Sequence, residues 1–65
     1  MMLRLIAIIE NPDQRENLRH CINILGEVPC IHKDSVCVTL PSDDARAEKF
    51  IELFENYTRH KIQYE

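Results

Sequence analysis

Cys30, His32 and Cys37 come nearest in this sequence to a set of residues able to do chemistry. Two thiolates and an imidazole suit a borderline ion such as zinc. A two-residue turn at Asp34-Ser35 would set His32 across from Cys37, with Cys30 one step along the same face. A longer turn would scatter them. A structural zinc site takes four ligands and no fourth is at hand, so the set reads as two small apolar thiols and an exposed edge histidine. No metal and no cofactor is expected.

Other reactive arrangements fail on composition. A nucleophile needs a positioned base and an oxyanion donor, which glycine-containing turns usually supply, and Gly26 is the single glycine. His20 and Cys21 adjoin in sequence, but helix neighbours point about 100° apart. No glycine-rich segment follows a strand to cradle a phosphate. The chain is expected not to be an enzyme.

Charge and cysteines narrow the partners. Eleven acidic residues against 8 basic ones give a net charge of -3, which removes the attraction a polyanion offers a basic protein. No nucleic-acid partner is expected. The apolar run Leu3 to Ile9 is broken by Arg4 and is far short of the roughly 20 residues that span a bilayer, so no membrane is expected either. Three cysteines without framework spacing, and an amino terminus without signal-peptide features, point to reduced thiols in the cytoplasm.

The elements that must position these residues follow from periodicity. Residues 1–65 form a single domain, because so short a chain buries only roughly 60% of its unfolded surface and cannot divide its apolar residues between two cores. Leu3, Leu5, Ala7 and Ile9 alternate with Arg4, Ile6 and Ile8, a central strand with an unusually apolar outer face. Asn11-Pro12-Asp13-Gln14 starts a helix, with Asn11 as cap, Pro12 in the first turn and Gln14 placed for a capping box. Leu18, Cys21, Ile22 and Leu25 form its buried stripe, and Arg15, Glu16, Arg19, His20 and Asn23 its wet side. Gly26 falls where a left-handed cap needs it.

Val28 to His32 and Val36 to Leu40, separated by Lys33-Asp34-Ser35, read as a hairpin whose first strand Pro29 confines to an edge. Ser42 is the expected cap of a second helix in which Ala47, Phe50, Ile51, Phe54 and Tyr57 are buried, with Leu53 at the margin. Glu55 and Arg59 stand at ion-pair spacing. Lys61 to Glu65 reads as a short charged edge strand. The order βαββαβ predicts an α+β, two-layer ferredoxin-like sandwich: an antiparallel sheet in the order 4-1-3-2 with both helices on one face. Without the tail strand it becomes a three-stranded βαββα domain.

In that architecture the central strands present Arg4, Ile6, Ile8, Cys37 and Thr39 on the outer face. RNA-binding sheets of this kind place stacking aromatics there, and none is present. Metallochaperones carry paired cysteines after the first strand, whereas Glu10-Asn11-Pro12-Asp13 holds no thiol. Ile6 and Ile8 with Cys37 and Thr39 would leave an apolar patch, and covering two such side chains is worth about 3 to 6 kcal/mol. The sequence therefore predicts a small non-catalytic interaction or regulatory module. The five outer-face residues would contact a protein partner or a second copy, since an isologous homodimer needs only one self-complementary patch. Two alternatives accompany it. Asp43, Asp44, Glu48, Glu52 and Glu55 would give the second helix an acidic band that docks a basic surface, as inhibitors from phages or toxin–antitoxin pairs do. A small-molecule or metal sensor would place its pocket at a dimer seam or at the hairpin cysteines.

Overall fold

The computed structural model describes residues 1–65 as β1 (Met2–Ile8), α1 (Pro12–Ile24), β2 (Cys30–His32), β3 (Ser35–Pro41), α2 (Ala47–Glu55) and β4 (His60–Tyr64). The four strands form one antiparallel sheet in the order β2-β3-β1-β4, a ferredoxin-like βαββαβ layout. The tail strand pairs with β1, Ile62 opposite Leu5, which removes the three-stranded alternative. It is fastened at its end by reciprocal bonds between Met2 and Glu65, both 2.8 Å.

Helix α1 begins as its sequence dictates. Asn11 Oδ1 accepts from the backbone N–H of Asp13 at 2.8 Å and of Gln14 at 3.2 Å, with Pro12 in the first turn where its missing N–H costs nothing. The Gln14 side chain makes no return bond, so the cap is one-sided. At the other end Gly26 takes φ 90°, Glu27 N–H donates to Ile22 O and Gly26 N–H to Asn23 O, the double closure of a Schellman motif. Leu18 and Ile22 are buried; Cys21 and Leu25 are only half-buried. Arg15, expected on the wet side, folds back instead. Its Nη1 donates to Ile9 O at 2.9 Å and to Asp34 Oδ1 at 3.1 Å, clamping the β1–α1 turn to the hairpin.

Helix α2 departs from expectation. Ser42 does not cap it, because β3 runs on to Pro41, paired with Met2, and Ser42 falls in the turn directly after the strand, where its N–H donates to Met1 O and Asp44 N–H to Pro41 O, both at 3.0 Å. A second turn follows Asp44, whose Oδ1 accepts from Arg46 N–H at 2.8 Å, and the helix starts at Ala47 with no side-chain cap. It ends at Glu55, so Tyr57 packs from the following turn and Arg59 lies beyond the helix. The expected Glu55–Arg59 pair does not form; Arg59 faces Glu10 at 3.8 Å.

Both helices cover one face of the sheet, α1 over β3 and α2 over β1 and β4. Between the layers lie Leu3, Leu5, Ala7, Val36, Val38 and Leu40 from the strands, and Leu18, Ile22, Phe50 and Phe54 from the helices. No polar side chain is buried with them. The period-2 alternation of β1 and β3 sends the intervening residues to the opposite, uncovered face.

Candidate functional site

The register brings the five expected outer-face residues together. Ile6 stands opposite Cys37, Arg4 opposite Thr39, and Ile8 opposite Ser35. On the far side of β1, Lys61 is opposite Ile6 and Gln63 opposite Arg4. One row across the uncovered face therefore reads Cys30, Cys37, Ile6, Lys61. Arg4 and Thr39 are exposed, while Ile6, Ile8 and Cys37 are half-buried among their neighbours on the sheet. A shallow groove of about 210 Å³ runs along this face between Ile6, Ile8, Arg59, His60 and Lys61.

The charges at the rim are mostly answered locally. Arg4 lies 3.7 Å from Glu65, and Arg59 pairs with Glu10. The Arg4 guanidinium is held above its ordinary value, chiefly by its proximity to Cys37 and to a smaller extent by Glu65. Lys61 belongs to no ion pair, so the groove carries one uncompensated cation beside two isoleucines. Arg59, His60 and Lys61 are the groove residues that sequence reasoning missed. Only the pairing of β4 with β1 places them there.

The hairpin cluster is rearranged relative to expectation. The turn is Lys33-Asp34, not Asp34-Ser35, with Lys33 at φ 54° in its first central position and Ser35 Oγ donating to His32 O at 2.8 Å. The shift of one residue pairs His32 with Ser35 and sets Cys30, not His32, opposite Cys37. No group of three histidine, cysteine or carboxylate side chains is gathered that could hold a metal ion. Cys21 sits in the other layer, where burial pushes the Tyr57 hydroxyl above its ordinary value and Cys21 adds to the push.

The acidic band is also redrawn. Asp43 and Asp44 precede α2, and Asp44 is bound to Arg46 through both oxygens, at 3.0 and 2.9 Å. Glu48, Glu52 and Glu55 remain on the helix, exposed and without ion pairs.

The largest groove, about 390 Å³ at Ile9, Asn11, Gln14, Tyr57 and Arg59, lies at the start of α1, whose free N–H groups Asn11 already serves. No helix is long and apolar enough to cross a membrane. Comparison with family models, curated proteins and solved structures yields no match to this chain.

Proposed function

We propose that this chain is a non-catalytic interaction module whose outer sheet face takes up a protein partner. The observation that supports the reading is the groove in which Ile6 and Ile8 lie beside the unpaired Lys61, on the one sheet face that carries no helix. Apolar contact there supplies affinity, and a cation at the edge of an apolar patch supplies register and selectivity. The partner that fits presents an apolar side chain to the groove and a carboxylate to Lys61.

A second copy fits less well. Stacking two of these faces would bring a Lys61 from each onto the seam, while Glu65 and Glu10 are already engaged by Arg4 and Arg59. A second reading, docking through α2, draws on Glu48, Glu52 and Glu55, which would meet a basic surface on the opposite side of the molecule.

Capture of partners from the native host, with light scattering of the purified protein alongside, separates these readings. Ile6→Thr/Ile8→Thr keeps β-branched side chains at both positions, and circular dichroism checks the fold. The proposal expects a monomer whose captured protein is lost with Ile6→Thr/Ile8→Thr, weakened by Lys61→Glu and retained by Glu48→Lys/Glu52→Lys. Retention by the sheet variants and loss by the helix variant would move the working face to α2. A concentration-dependent dimer that Ile6→Thr/Ile8→Thr dissociates would make a second copy the partner.

A further inference from the structure

Cys30 and Cys37 are directly opposed in the β2–β3 ladder, on the uncovered sheet face. Opposed residues of an antiparallel pair have Cα atoms about 4.5 or 5.5 Å apart, according to their place in the ladder. Both separations fall inside the roughly 4.4–6.8 Å that a disulfide spans. Their side chains leave the sheet on the same side, as the pleat requires of a directly opposed pair. Both thiols are free, Cys30 exposed and Cys37 half-buried. Cys21, the third thiol, projects from α1 on the other side of the sheet and cannot compete for either.

Two neighbours shape the pair. Arg4 lies on the adjacent strand and the same face, two residues from Ile6, which stands opposite Cys37, so a cation flanks the pair. On the opposite edge β2 ends the sheet, with three residues paired to β3 and nothing beyond. Cys30 is therefore open to a small-molecule reagent approaching from solvent.

We propose that Cys30 and Cys37 are a reversible redox couple, a cross-strand dithiol that a small-molecule disulfide such as glutathione disulfide converts into a cross-strand disulfide. Cys30, the exposed member, attacks one sulfur of glutathione disulfide as its thiolate. The oxidant's S–S bond breaks, a Cys30–glutathione mixed disulfide forms and one glutathione leaves as thiolate. The Cys37 thiolate then attacks Cys30 Sγ and displaces the second glutathione. The two protein thiols lose two electrons and two protons in all, and the oxidant is reduced to two glutathione thiols. Excess reduced glutathione runs the steps backwards. The product ties the three-residue edge strand covalently to β3. This inference does not depend on the partner reading, because it uses only the hairpin register.

The test is equilibration of the full chain in glutathione buffers spanning reduced to oxidised ratios, followed by acid quench, alkylation of free thiols, intact mass and peptide mapping. The expected result is a two-electron transition from three alkylated cysteines to one, with Cys21 alkylated and Cys30 linked to Cys37. Cys30→Ser leaves Cys37, and Cys37→Ser leaves Cys30, unable to go beyond a glutathione adduct. Three alkylated cysteines at every ratio, stable glutathione adducts in the wild type, or disulfides between chains would each overturn the proposal. The wild-type titration decides the matter even if a serine variant fails to fold.

Discussion

Arg46 Nη1 donates to the carbonyl oxygen of Leu25 at 2.6 Å, tying the start of α2 to the end of α1 across 21 positions of sequence. The same guanidinium binds Asp44 through Nε and Nη2, approaches Glu27 at 3.6 Å, and lies 5.7 Å above the centre of the Phe50 ring. The C-terminal carbonyls of a helix need partners and carry partial negative charge, so a cation from another element meets both needs at once. The two helices share few other polar contacts, which makes this side chain the principal polar link within the helix layer.

Arg46→Met should therefore lower the melting temperature although it keeps an apolar stem against Phe50. The loss should persist in molar salt, because the bond to the Leu25 carbonyl is short-range and partly shielded, whereas the Glu27 pair is screened. Thermal denaturation at low and high salt checks this. Full recovery of the wild-type value in high salt would show that only ion pairing was lost.

Asp44 gives a sign to the acid limb of stability. Hydrogen bonds from the Arg46 side chain, then from its backbone N–H, hold the carboxyl down from 3.8 to about 2. A carboxyl with its folded value below its unfolded one adds stability that is complete above the unfolded value and disappears as pH falls through the folded one. Stability should thus decline between pH 3.8 and about 2 in the wild type, and Asp44→Asn should flatten that segment. Glu16, lowered by its hydrogen bond to Arg19, adds to the same limb and is unaffected by the change. Denaturant titrations across that range measure both profiles.

The two ends of α1 should respond independently. Asn11→Ala removes the oxygen that serves Asp13 and Gln14, at a cost of about 1 kcal/mol. Gly26→Ala forces a left-handed residue to carry a Cβ, at about 1–2 kcal/mol. That Cβ would also come within 3.1 Å of Arg46 Nη1. Because the ends are well separated, the double variant should show additive losses, whereas Gly26→Ala combined with Arg46→Met should not. Double-mutant cycles from chemical denaturation give both coupling values.

The order of elements, the antiparallel 4-1-3-2 sheet and the faces of β1 and β3 were legible in residue types alone. Asn11-Pro12 and Gly26 mark helix ends through local backbone chemistry, and strict alternation such as Val36, Val38, Leu40 assigns faces without reference to any other segment. These signals act within a few residues, where sequence spacing and spatial distance agree. For that reason the outer-face residues Arg4, Ile6, Ile8, Cys37 and Thr39 were found together as expected.

Where a choice depended on distant partners, the chain alone misled. Ser42 has the chemistry of a helix cap, but pairing of Pro41 with Met2 carries β3 up to it, so Ser42 serves the turn after the strand and α2 starts only at Ala47. Arg15 belongs by periodicity to the wet side of α1, and only the positions of Ile9 and Asp34 draw it inward. The hairpin turn falls one residue earlier than the Asp34-Ser35 turn that would have paired His32 with Cys37, and moving a turn by one residue moves every cross-strand partner by two. That slip dissolves the pairing of His32 with Cys37 and creates the pair Cys30–Cys37. Sequence thus determined which residues of β1 and β3 lie on the uncovered face. Tertiary structure decided which of them touch, because register is set by the turn and the ladder as a whole rather than by any side chain within it.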